Sequence, residues 1–99
     1  MKNVSVTFNE LDYGGGFMVH NWTLNVTTKN GEKNFWLGQD VKFCSRVLGM
    51  NPSYVIDQIG GSDLKIPKIQ KALGKFIVQQ LGLTDEKIDK LEPWDLACQ

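Results

Sequence analysis

The sequence predicts an α+β domain, a three-stranded antiparallel β-meander followed by a small bundle of four short helices. Three observations predict it. Residues 4–8 and 17–28 alternate apolar and polar side chains with the period of two that marks a half-buried strand. Asn30-Gly31, set between two such segments, is the strongest short-range hairpin signal in the chain. From Gly38 onward the apolar spacing lengthens to the helical period and is punctuated by Gly and Pro.

In the first strand Val4, Val6 and Phe8 alternate with Ser5, Thr7 and Asn9. The stretch 11–16, Leu-Asp-Tyr-Gly-Gly-Gly, is expected as a loop, because three consecutive glycines lose too much backbone entropy in a strand. The second strand, 17–28, places Met18, His20, Trp22, Leu24 and Val26 on one face and Asn21, Thr23, Asn25 and Thr27 on the other. Asn30-Gly31 then supplies the left-handed dihedrals of a two-residue type I′ turn. With these two residues as the loop, Lys29 faces Glu32, Val26 faces Phe35 and Leu24 faces Leu37, and the apolar face continues through a third strand over 32–37.

Asp40 is placed as N-cap of a helix over 41–48 closed by Gly49. Asn51 caps a second, with Pro52 at its first position and Gly60-Gly61 stopping it. After a loop over 62–66, Pro67 opens the longest helix, which runs to Leu81 and is closed by Gly82. Ile69, Leu73, Phe76, Ile77 and Leu81 form one apolar stripe on it, about 140° wide at 100° per residue. Lys68, Lys71 and Lys75 fall together on the opposite side. Thr84 caps the last helix, with Asp85 and Glu86 in its first turn, and Pro93 ends it near Leu91. The whole reads as a single domain, 1–99, with the meander over 1–37 and the helical part over 40–92.

Composition narrows the chemistry. Ninety-nine residues, 41% of them hydrophobic and ten of them aromatic, suffice for one packed core but leave little room for a deep active site. Eleven Lys+Arg balance eleven Asp+Glu, so no global field draws in nucleic acid or an anionic membrane. No apolar run approaches the ~18 residues of a membrane helix and the first residues lack a signal peptide's apolar segment; a soluble, cytoplasmic chain is expected. In that compartment Cys44 and Cys98 are expected as free thiols, and the Asn-X-Ser/Thr sequons at Asn3, Asn21 and Asn25 as coincidences of a polar strand face. Neither cysteine has a partner at zinc-finger or redox spacing, and the single histidine, His20, cannot assemble an imidazole metal site. Cys44 with His20 is the one conceivable nucleophile and base. It is discounted because Cys44 takes a small, core-facing helix position and lacks an orienting third group. No catalytic residue, metal or cofactor is expected, and no enzymatic activity.

The remaining features point to binding. Tyr13-Gly14-Gly15-Gly16-Phe17 lacks the ending of a phosphate-binding loop, but a glycine-rich loop flanked by aromatics presents adaptable contacts. Trp36 on the polar strand face and Trp94 after Pro93 are candidate anchors, since Trp is over-represented among interface hot spots. Lys65, Lys68, Lys71 and Lys75 form a cationic stretch with no acid between 64 and 84, whereas residues 84–99 carry five acids against two lysines. A surface so segregated suits a protein partner or self-association at least as well as nucleic acid. The candidate partner-binding residues are accordingly Tyr13, Phe17, Trp36, Lys68, Lys71, Lys75 and Trp94.

Two resemblances add to this reading. Cys44-Ser45 take the small positions of a first helix, Leu48-Gly49-Met50 the turn, and Val55 a buried position of a second; this segment, 41–60, resembles the helix-turn-helix of phage repressors. The resemblance implies base reading by Ser53, Tyr54, Ile56, Asp57 and Gln58. Those positions include no Arg or Lys, Asp57 would repel phosphate, and Gln58 stands where the template usually has an apolar residue. In general build (short, catalytically bare, locally segregated in charge) the chain is similar to small phage- or mobile-element-encoded inhibitors such as anti-CRISPR proteins. That likeness implies steric blocking of a host nucleoprotein effector, steered by charged faces and anchored by one or two aromatics. The leading expectation is a non-enzymatic protein-binding module of this inhibitor kind. The alternative is a helix-turn-helix DNA-binding regulator of phage type.

Overall fold

Alternating side chains build the sheet. β1 (Asn3–Asp12), β2 (Met18–Thr28) and β3 (Gly31–Gly38) pair antiparallel in the order β1-β2-β3. The computed structural model describes residues 1–12, 18–38, 48–61 and 63–97, with 10–12 and 18–20 given by their backbone alone. The expectations placed on Tyr13, Phe17, Asp40, Cys44 and Cys98, on the helix over 41–47, and on the side chains of Met18 and His20 lie outside what is described. Leu11 and Asp12 are strand rather than loop, because β1 stays paired with β2 as far as Asp12 opposite Met18.

Trp22, Leu24 and Val26 of β2 point inward with Val6 of β1 and with Phe35 and Leu37 of β3, and all six are buried. Phe8 lies opposite Trp22, and their rings pack tilted at 43° with centroids 4.6 Å apart, an arrangement that adds to the area they bury. On the other face Thr7, Asn21, Thr23, Asn25 and Thr27 are half-buried. There Asn25 donates its amide to the Thr7 hydroxyl at 3.0 Å.

The hairpin between β2 and β3 corrects the expected register. Leu24 faces Phe35, Val26 faces Lys33 and Thr28 faces Gly31, a slip of two residues from the pairing that Asn30-Gly31 predicts. Gly31 stands at φ +113° and no described residue other than glycine has positive φ, so Asn30 does not take the left-handed conformation of a type I′ turn. The loop is Lys29-Asn30 followed by a positive-φ glycine, the arrangement in which an ordinary turn is completed by a bulge. Thr28, buried beneath the turn, accepts the Asn30 backbone N–H at 3.1 Å and fixes it. A slip of two leaves every side chain on its face, and for that reason the inward set is as expected although the pairing is not. A second irregularity follows: Thr23 faces Trp36 but Trp22 faces Gly38, which leaves Leu37 as the extra residue of β3.

Three helices are present among the described residues: α1 (Pro52–Ile59), α2 (Pro67–Leu81) and α3 (Asp85–Lys90). The Asn51 carboxamide accepts the Ser53 N–H and Gly60 closes α1 at φ +86°. Pro67 opens α2, and Gly82 at φ +62° ends it. Thr84 caps α3 by accepting the Lys87 N–H at 3.3 Å. α2 lies on β1 with α1 against it, and α3 reaches the same core through Ile88. Val55, Ile59, Ile69, Leu73, Ile77 and Ile88 complete that core, whereas Phe76 and Leu81 of the expected stripe are half-buried at its margin. The contact of α2 with β1 is close. A Cβ on Gly74 would stand 2.8 Å from both the Cα and the N of Ser5 and 2.9 Å from Val4 Cγ1, so only a residue without a side chain lets the helix backbone down onto the strand.

Candidate functional site

The packing of α2 on β1 determines where the lysines go. Because Ile69, Leu73, Gly74 and Ile77 face the sheet, Lys68, Lys71 and Lys75 are held on the outer side, all exposed. Lys71 and Lys75 then overhang the start of β1. With Lys2, Asn3, Val4 and Ser5 they line an open cleft of about 270 Å³. Among the described residues three of those that line it are lysines and none is an acid. The α-amine of Met1, next in the chain to Lys2, pairs with Asp85 Oδ1 at 2.8 Å. Lys68, one turn before Lys71, lies outside the cleft lining and extends the same cationic face.

The tryptophans stand at the opposite edge of the sheet. Trp36 is half-buried on the polar face, where its indole N–H donates to Asn21 Oδ1 at 3.1 Å. Its backbone N–H points outward and donates to the Pro93 carbonyl at 2.9 Å, which ties the segment after α3 to β3. Trp94 follows directly and is 63% exposed. The two are therefore brought together by a backbone bond at one corner, away from the lysines. The seven expected partner-binding residues divide accordingly into Lys68, Lys71 and Lys75 over β1, Trp36 and Trp94 beside β3, and Tyr13 and Phe17 outside the described residues.

Beside the tryptophans, Lys33 of β3 donates to the carbonyls of Ile88 at 3.2 Å and Asp89 at 2.9 Å, placing a cation at the C-terminal end of α3 where the helix dipole favours one. Asn30 donates its amide to Asp89 Oδ2 at 2.6 Å. The turn after α3 is closed by Asp95, whose carboxylate accepts the Glu92 N–H at 2.8 Å. Between residues 32–35 of β3 and residues 91–93 runs a second cleft, about 390 Å³, which Glu32 and Glu92 line.

Sequence reasoning missed Lys2, Glu32, Lys33 and Glu92, because only tertiary packing brings them to these places. One signal for Lys2 was available. A glycine in the middle of an otherwise regular helix costs ~1 kcal/mol relative to alanine, so Gly74 announces a close approach to something. Among the described residues no three side chains of the metal-ligating kinds come together, and no helix is long and apolar enough to cross a membrane. Val55 of α1 is buried, and the face it leaves outside presents Ser53, Tyr54, Asp57 and Gln58. Comparison with family models, with characterised proteins and with solved structures finds no match to this chain.

Proposed function

We propose that the chain is a non-enzymatic binding module whose lysine cleft docks an acidic surface of a partner protein. The observation that carries this reading is the convergence of Lys2, Lys71 and Lys75 on one cleft that no acid among the described residues lines, from two elements locked together at Gly74. A rigid cationic cleft steers encounter with a negative partner and fixes its orientation, while apolar anchors hold the complex once formed. On this reading the protein acts by occlusion, in the manner of the phage- or mobile-element-encoded inhibitors whose build it resembles, and the surface it covers belongs to a host nucleoprotein effector. The outer face of α1, with Asp57 and no cation, gives the DNA-regulator alternative no support of its own.

The test combines Lys68→Glu, Lys71→Glu and Lys75→Glu in one variant. All three side chains point away from the core, so folding should be retained. Association with the partner protein captured from host lysate should slow about tenfold at low salt and by less at high salt, where screening has already weakened steering. Equal association rates at low salt for variant and parent would refute the reading. Binding to duplex DNA that falls steeply with salt through counterion release would replace it with nucleic-acid recognition.

A further inference from the structure

The outer edge of β3 carries a second site, independent of the lysine cleft. In an antiparallel strand the backbone groups of alternate residues point to the same side. Since the Trp36 N–H points away from β2 to reach Pro93, the N–H and C=O groups of Asn34 and Glu32 point away from β2 as well. Neither residue's backbone makes a hydrogen bond on that side to any described residue. The segment 91–93 runs alongside but stands off, and the space between is the 390 Å³ cleft. An unpaired strand edge usually invites another strand, and here the invitation is framed on its far side by a strap of the same chain.

We propose that this slot is a strand-addition site that takes an extended, lysine- or arginine-bearing peptide segment of a partner protein. Backbone pairing to Glu32 and Asn34 supplies the affinity, as in other complexes where a peptide extends a sheet. Charge selects the occupant. The Lys33 ammonium also lines the slot but is turned to two carbonyls at the C-terminal end of α3, while the carboxylates of Glu32 and Glu92 are both exposed and outnumber it.

Fluorescein-labelled seven-residue peptides test the proposal on the whole chain. One alternates Lys with Val, a second replaces its central Val with Pro, and a third replaces every Lys with Glu. The Lys-Val peptide should bind and shift the amide NMR signals of Glu32 and Asn34, while the other two bind at least about tenfold more weakly. Asn34→Pro removes the outward N–H without touching the ladder to β2 and should abolish binding. If that variant fails to fold, Glu32→Lys with Glu92→Lys decides, with an expected loss of about tenfold at unchanged melting temperature. Equal affinity for the Pro-containing peptide, or shifts confined to other residues, would overturn the proposal. So would concentration-dependent dimerisation that perturbs the same amides.

Discussion

The two outer strands of the sheet are covered in opposite ways. On the β1 side a helix backbone rests directly on strand backbone, with room for no more than a hydrogen at Gly74. On the β3 side the strap is joined to the strand by one backbone hydrogen bond, Trp36 N–H to the Pro93 carbonyl at 2.9 Å, with Leu91 packed at the margin of the core, and a cleft remains between the strap and residues 32–35. The charges are opposite as well: lysines crown the close contact, and carboxylates line the loose one. A strand packed under a helix becomes a rigid platform for side chains, whereas a strand bordered by a strap keeps its own polar backbone available.

Gly74→Ala is the strongest way to break this contrast. In an exposed helix interior the exchange stabilises by ~1 kcal/mol, but here the added carbon meets the Ser5 backbone, and overpacking should outweigh that gain to leave a net loss of about 1–3 kcal/mol in urea unfolding. A variant more stable than the parent would mean that the contact of α2 on β1 is loose enough to yield, as the strap beside β3 is. Gly31→Val acts on the other outer strand. At φ +113° a β-branched residue is strained, and the midpoint of thermal unfolding should fall by an amount equivalent to about 1–2 kcal/mol. Unchanged stability would show that something other than the turn sets the register of β3. Smallest is Lys33→Met, which keeps the stem but removes the ammonium from the Ile88 and Asp89 carbonyls. A loss of about 1 kcal/mol, read in the same urea experiment, would show that α3 is anchored to β3 by that cation; no loss would leave the anchoring to Ile88 and the core.

Local chemistry was legible in the sequence and long-range chemistry was not. Pro67 and Gly82 bound α2 as expected, since a missing donor at the start and a left-handed residue at the end act within one turn. Asn30-Gly31 announces a hairpin but serves two loops equally well, and the inward set Leu24, Val26, Phe35 and Leu37 cannot distinguish registers two residues apart. The lysine stripe on α2 was readable from helical spacing, yet its meeting with Lys2 depends on which strand the helix covers. The strap at Trp36 was invisible for a simpler reason. Its bond joins two backbone groups, which every sequence possesses, and no side chain advertises it.

The seating of Gly74 on Ser5 also sets an order of events during synthesis. The meander emerges from the ribosome first, with the apolar side of Leu24, Val26 and Phe35 bare until a helix from the last third of the chain arrives to cover it. A nascent chain of this kind passes through an interval in which its sheet is complete but half-wet and adhesive to chaperones or to its neighbours. The docking of first strand and distant helix joins residues far apart in the sequence, and contacts of that kind slow folding.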